Sequence, residues 1–354
     1  MHVLTLLPLA LLSVLPLAAQ TPVPASIKDA KTLLAAAAPA YDYDNPDLNP
    51  WHFKASYQIY DQNGNPSQRG TYEYWWASPT VYRSTWTRGA STQSEWHTAD
   101  GKHFETNSGE ALHLFETEFP HELLAPLPTA SEEDAQRTWL QRDTVTFDSL
   151  KAPCVKFLTS RIDRQSPTFP SVIPMDNVKA TYCFDPRLPI LIMKSRANGP
   201  IESYGNFVKM QQRDLPRTFE EKVDRRKILT ATIVAMGAMD PSDPALSPPA
   251  DAKADLNLPL DIASRVMNGQ RVKGFYPDYP DEAKLSKIAG TVMIEAQIGK
   301  DGKVQNLRVI SSPAPVLTDS SVKAVRKWEY KPYLLNGQPI DVRTTIDVAY
   351  ALAP

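Results

Sequence analysis

Between residues 51 and 239 the chain keeps returning to one pattern: short runs in which apolar and polar residues alternate, each closed by Gly, Pro, Asn or Asp. A period of two puts successive side chains on opposite faces of a sheet, so this stretch must build hairpin-linked antiparallel strands rather than a helical bundle. In the first run Phe53, Ala55, Tyr57 and Ile59 alternate with Lys54, Ser56, Gln58 and Tyr60, and DQNGNP then supplies a turn. GTYEYWWA, VYRSTWTR and TQSEWHTADGKHFET continue the series, the last bent at Asp100-Gly101. After an interruption CVKFLTSRI, KATYCF, PILIMKSR and IESYGNFVKM resume it, and RTFEEKV with KILTATIVAM closes it. Three helices are expected beside the sheet. The first is the Ala- and Leu-rich segment 26–38, ended by Pro39; the second covers 110–124; the third covers 131–141, where Ser131 and Asp134 resemble a capping box.

A chain of 354 residues has room for about two domains. Residues 240–259, DPSDPALSPPADAKADLNLP, are rich in proline and alanine without periodicity, which predicts a semi-rigid linker. The expected division is a signal at 1–20, a β-rich domain at 26–239, the linker at 240–260 and a second domain at 261–354, with an α+β fold class overall. Residues 3–19 form an apolar run closed by Ala18 and Ala19, the form of a secretory signal with cleavage near Gln20. The run is short for a membrane crossing, where about 20 residues are needed, and an uncleaved anchor is the alternative. The expected location is therefore the periplasm, or the inner membrane facing it. A net charge of −2 offers no basic field for phosphates, so nucleic acid is excluded as the primary partner.

The two cysteines, Cys154 and Cys183, each lie in a strand-like run. Export would oxidise them to a disulfide, with two buried thiols as the alternative. His52, His97, His103, His113 and His121 show no metal-ligand spacing, and the calcium-like start at Asp61 has Pro66 where the sixth-position Gly belongs. No GxSxG, P-loop or GxGxxG pattern occurs, so the expectation is a binding protein without cofactor or metal, not an enzyme.

Beyond the linker the pattern changes. Tyr279 and Pro280 open a short helix containing Ala283 and ending at Gly290; a hairpin turns at Asp301-Gly302; a second helix over LTDSSVKAVRKWEYKP carries Trp328 and Tyr330 and stops at Pro332. Val304 falls out of phase with Leu307 and Val309, which predicts a bulge beside the turn. The last strand alternates Val342, Thr344, Ile346, Val348 and Tyr350 against Asp341, Arg343, Thr345, Asp347 and Ala349. This α-β-β-α-β order, with those residues in that spacing, resembles the TonB C-terminal domain family and implies a three-stranded antiparallel sheet. In that family the last strand is an edge that accepts an extended segment, the TonB box, of an outer-membrane receptor. A right-handed crossover gives strand order 2-1-3 and leaves residues 341–350 one unpaired edge, to which a partner strand can add through main-chain hydrogen bonds. A loop, the N-terminal domain or a second copy could instead cover that edge. On this reading proline at Ile346 abolishes strand addition.

Energy-transducing members of that family also have a basic-flanked, uncleaved anchor, which couples to an inner-membrane proton-driven motor, and a long Pro-rich spacer. This chain matches neither feature, so the motor is an expected partner only if the N-terminus is retained. The N-terminal region, through GTYEYWWASPTVYRSTW and TADGKHFE, resembles the LolA-like half-barrel carriers of the periplasm. That resemblance implies a concavity for acyl chains lined by Tyr57, Trp75, Trp76, Trp86 and Trp96, and a lipid or lipoprotein carrier is the alternative function. The alternative reading of these aromatics is ordinary core and cross-strand pairs.

Overall fold

A computed structural model describes residues 29–61, 63–128, 139–147, 149–158, 178–196, 199–254, 260–262, 267, 269–335 and 337–352. The expected signal and most of the expected helix at 131–141 lie outside the described residues. The Ala/Leu segment forms α1 (Ala30–Ala37), capped by the Asp29 carboxylate on Thr32 N–H and passing at Pro39 into a 3-10 turn.

The strands then follow in order: β1 (Trp51–Tyr60), β2 (Pro66–Ser78), β3 (Val81–Arg88), β4 (Ser91–His97) and β5 (His103–Ser108). Helix α2 (Leu114–Leu124) precedes β6 (Trp139–Phe147), β7 (Leu150–Leu158), β8 (Val178–Phe184), β9 (Leu191–Arg196) and β10 (Ile201–Gly205). The expected third helix is corrected at its end, because residues 139–141 are strand, paired in register with β7. A small hairpin, β11 (Val208–Met210) and β12 (Arg213–Leu215), leads to β13 (Thr218–Val223) and β14 (Arg226–Ala238).

These strands, with β15 (Lys253–Ala254) and without the β11–β12 hairpin, form one thirteen-stranded sheet in which every pairing is antiparallel. The first strand is central: β1 lies between β2 and β14. Alternation decides the faces, with Trp51, Phe53, Ala55, Tyr57 and Ile59 buried on one side of β1. Cys154 and Cys183 sit opposite one another on β7 and β8 and are joined in a disulfide. The proline-rich stretch lies along this sheet: Leu246 is buried, the Ala245 carbonyl accepts from Trp96 Nε1 at 2.9 Å, and β15 pairs with β5.

Helix α2 packs on the core face through one carboxylate. Glu116 is fully buried; its Oε1 accepts from Tyr57 Oη at 2.8 Å and from Arg88 Nε at 3.0 Å, and its Oε2 accepts from His113 N–H at 2.7 Å. Burial raises its pKa, against those hydrogen bonds and the Arg88 charge.

The C-terminal region begins with β16 (Leu260–Asp261) and β17 (Arg271–Lys273), then α3 (Asp281–Leu285), β18 (Gly290–Ile298) and β19 (Val304–Ser311). Helix α4 (Pro315–Val325) follows, then β20 (Glu329–Tyr330), the hairpin β21 (Tyr333–Leu335) and β22 (Gln338–Ile340), and β23 (Val342–Tyr350). The sheet order is β16-β23-β18-β19. Two expectations are corrected here. The sheet has four strands, not three, because β16 joins the outer side of β23 in a parallel pair. The second helix ends at Val325, and Trp328 to Pro332 run on as loop and short strand, because Trp328 is drawn into the core and Tyr330 N–H bonds the Gly302 carbonyl at 2.8 Å. The β18–β19 register shifts between Gln297 and Ile298, opposite Val304. No helix among the described residues is long and apolar enough to cross a membrane.

Candidate functional site

The side chains of β23 split by parity. Val342, Ile346, Val348 and Tyr350 join the cluster formed with β18 and α4, and Thr344 is also fully buried. The odd residues face the other way, toward the first sheet: Arg343 Nη1 reaches the Leu112 carbonyl at 3.5 Å, and Thr345 and Asp347 share a small cavity with Phe115 and Glu122 of α2. Asp341 precedes the strand, a correction to its expected place in the edge; its Oδ1 instead accepts from Lys300 N–H at 2.9 Å and caps the β18–β19 turn.

The main chain of β23 has a matching parity. Ile262 N–H donates to the Arg343 carbonyl at 2.8 Å, so the polar groups of Arg343 point away from β18. The β18–β23 register runs without a shift from Ile298↔Val342 to Gly290↔Tyr350. In an antiparallel strand a residue's N–H and C=O point to the same side, and that side alternates along the strand. Thr345, Asp347 and Ala349 therefore also direct their N–H and C=O groups outward, while Thr344, Ile346 and Val348 are spent on the pair with β18. Among the described residues β16 covers only Val342 and Arg343, and no strand pairs with the edge beyond them. Proline at Ile346, a buried residue bonded into the internal ladder, would break the sheet itself and cannot isolate strand addition.

The motif residues build the frame that carries this edge. Tyr279 donates its hydroxyl to the Ile288 carbonyl at 2.7 Å and sets its ring edge-on to Tyr350. Pro280 caps α3, and Ala283 is fully buried beneath it. Helix α3 ends at Leu285, short of Gly290, which opens β18 at φ +134, where a Cβ would meet Asp224 at 2.6 Å. Asp301 Oδ1 accepts from Lys303 N–H, and Gly302 at φ +77 lies so close to Tyr330 that a Cβ would stand 2.0 Å from its carbonyl oxygen. Trp328 donates Nε1 to the Phe275 carbonyl at 3.0 Å and lies beneath the Arg271 guanidinium. Pro332 follows in the loop toward β21.

The residues 276–352 match the Gram-negative bacterial TonB protein C-terminal. Two relatives agree: Protein TonB of Vibrio cholerae is 31% identical over 77 residues, 22% of this chain and 32% of that protein. Protein TonB of Xanthomonas campestris pv. campestris is 33% identical over 100 residues, 28% of this chain and 42% of that protein. The match thus spans less than half the length of these TonB proteins. Among solved structures, a LolA superfamily protein from Nitrosomonas europaea aligns with 62% of this chain and 97% of its own at 8% identity and TM-score 0.29. A DUF1329 family protein from Desulfovibrio piger aligns with 59% of this chain and 92% of its own at 9% identity and TM-score 0.30.

The sequence could not reveal what lies behind the TonB-like sheet. Lys194 pairs with Glu122 and, at 3.3 Å, with Glu202; Arg196 pairs with Glu122 and, at 3.4 Å, with Glu202. Burial works against the Glu122 charge, but Lys194 and Arg196 outweigh it and hold the carboxyl down at about 2. Asp347 reaches into this cluster from β23, beside Arg196 and Glu221. Its Oδ1 is sealed from solvent and has no hydrogen-bond partner among the described residues, and burial pushes its pKa up to about 6 against the pull of Arg196. Parity along β23 would have put Asp347 opposite the apolar face, but only the tertiary fold supplies the acidic neighbours.

The aromatic residues expected to line one concavity divide as well. Trp86 lines a cleft of about 400 Å³ between α2 and strands β2 to β4, whereas Tyr57 and Trp76 are buried in the core. Trp75 and Trp96 lie on the opposite face of the sheet, with Arg83 stacked against both at 4.5 and 4.9 Å.

Proposed function

We propose that this chain is a periplasmic, non-enzymatic binding protein of two domains, 26–239 and 261–354 joined by 240–260. Its TonB-like part takes up an extended partner segment on the outer edge of β23. The observation that carries this reading is the outward main chain of Thr345, Asp347 and Ala349, which β16 leaves uncovered. A strand added there gains N–H···O=C bonds from all three residues and needs little of their side chains, which are turned toward the first sheet. The expected partner is a TonB-box-like segment of an outer-membrane receptor, by the family match over 276–352. If the N-terminal apolar run is retained as an anchor, the inner-membrane proton motor becomes the second partner and the reading extends to energy transduction.

Ala349→Pro tests the proposal. Ala349 is exposed and its N–H points outward, so proline removes one edge donor while leaving the β18 pair intact. Affinity for a synthetic receptor-segment peptide should fall at least tenfold in a variant whose melting temperature is unchanged. Unaltered affinity in that folded variant would refute pairing at this edge.

A further inference from the structure

The cleft beside α2 belongs to the first sheet and plays no part in the edge. One wall is aromatic: Tyr72 and Tyr74 from β2, Tyr82 and Trp86 from β3. Their rings form a continuous series, with Tyr72 to Trp86 at 5.0 Å, Tyr72 to Tyr74 at 6.3 Å and Tyr74 to Tyr82 at 6.0 Å between centroids. The carboxylates among the lining residues are Asp42, Asp44 and Glu95, and the imidazoles are His97 and His121. Glu95 lines the cleft from β4, held by Gln93 Nε2 at 2.7 Å, and Asp44 stands at the exposed mouth, where Trp76 Nε1 donates to its Oδ1 at 3.2 Å. The strand neighbour directly opposite Glu95 is another carboxylate, Glu105. No lysine or arginine lines the cleft among the described residues.

His97 adds no positive charge at neutral pH. It is stacked on Tyr82 at 4.1 Å, and burial first, then His103, bring its pKa down to about 4. The Tyr82 hydroxyl is pushed up to about 12, by burial first and then by Asp44 and Glu95, so both carboxylates are felt at the aromatic wall.

An acyl-chain site would present hydrocarbon throughout, with any charge at its mouth. Ring faces carry partial negative charge, and together with carboxylates they attract a cation that is itself partly apolar. We propose that this cleft binds a small organic ammonium ion, its apolar substituent against the Tyr72–Trp86 wall and its charged head toward Glu95 and Asp44. The volume suits such a molecule, since ligand pockets run from about 300 to 1,000 Å³.

The test titrates the full chain with benzyltrimethylammonium by calorimetry and tryptophan fluorescence, with laurate as the comparison ligand. Saturable single-site binding is expected, weakened by added salt and weakened at least tenfold in Glu95→Gln. Tyr82→Leu should lose a comparable factor, and Asp44→Asn, which is at the exposed mouth and keeps an acceptor for Trp76 Nε1, a smaller one. Melting temperatures identify any variant whose fold has suffered, in which case Asp44→Asn with the salt dependence decides. Absence of saturable binding, affinity unchanged in both carboxylate variants, or binding of laurate but not of the ammonium ion would each overturn the proposal.

Discussion

The two sheets differ in how much of their hydrogen-bonding capacity they use internally. The first is long and wholly antiparallel; its core face carries α1 and α2, and the proline-rich stretch reaches one of its outer strands through β15. The second has α4 on one face and the first region on the other, and among the described residues only Val342 and Arg343 of β23 are paired on its outer side. The two meet through side chains: Glu295 Oε2 accepts from Leu114 N–H at 2.7 Å, Arg308 reaches the Leu112 carbonyl at 3.2 Å, and Arg226 reaches the Ser312 carbonyl at 2.8 Å. Among the described residues the first region therefore covers the face of the second sheet without pairing with its edge, which leaves room for the proposed strand addition beside a large neighbour.

The strongest way to break this arrangement is at the carboxylate that fixes α2. Glu116→Ala removes the buried carboxylate beside Arg88, leaving that guanidinium only the exposed Glu110 at 3.5 Å as a charged partner, and should cost about 3–5 kcal/mol, read as a lower urea midpoint. The disulfide comes next. Opening it with Cys154→Ser and Cys183→Ser frees a loop of about 30 residues and should cost about 3–4 kcal/mol in the first region. Peptide affinity at β23 should not change, which separates the two regions; a parallel loss of affinity would tie them together.

The contact between the regions should also respond to pH, through a smaller term. Asp347 titrates near 6 in the folded protein against about 3.9 when unfolded, so the folded state holds the extra proton between those values. Its contribution is fully present below about 4 and is lost as pH rises through about 6, at most about 3 kcal/mol. The groups facing it are Arg196, Glu118, Glu122, Glu202 and Glu221. His97 and His113 have the opposite sign: burial lowers them to about 4 and about 3, so they stabilise above about 6.5 and cease to as the pH falls. Asp347→Asn should remove the fall in stability between about pH 4 and 6 and leave the histidine terms, so stability should climb more steeply with pH over that range in chemical denaturation. The smallest expected effect is that of Arg226→Ala, about 1–2 kcal/mol from the hydrogen bonds to Ser312 and Ser311.

Much of this fold was legible in the sequence because alternation is a local signal. Phe53 to Ile59 and Val342 to Tyr350 could be assigned to buried faces from parity alone. Helix ends were less legible: nothing local says that Trp328 leaves the helix to bond the Phe275 carbonyl, or that Leu285 ends α3 before Gly290. The two-residue strand β16 carries no period and was invisible, yet it fixes the direction in which the main chain of β23 points. The cluster around Asp347 joins residues far apart in sequence, and spacing alone could not have found it.

Amide hydrogen exchange along β23 tests the central claim most directly. In the free protein the amides of Thr345, Asp347 and Ala349 should exchange much faster than those of Thr344, Ile346 and Val348, and saturating receptor-segment peptide should slow those three. Equal protection of both sets in the free protein, or no change in the outward set at saturation with bound peptide, would contradict an edge that accepts a strand.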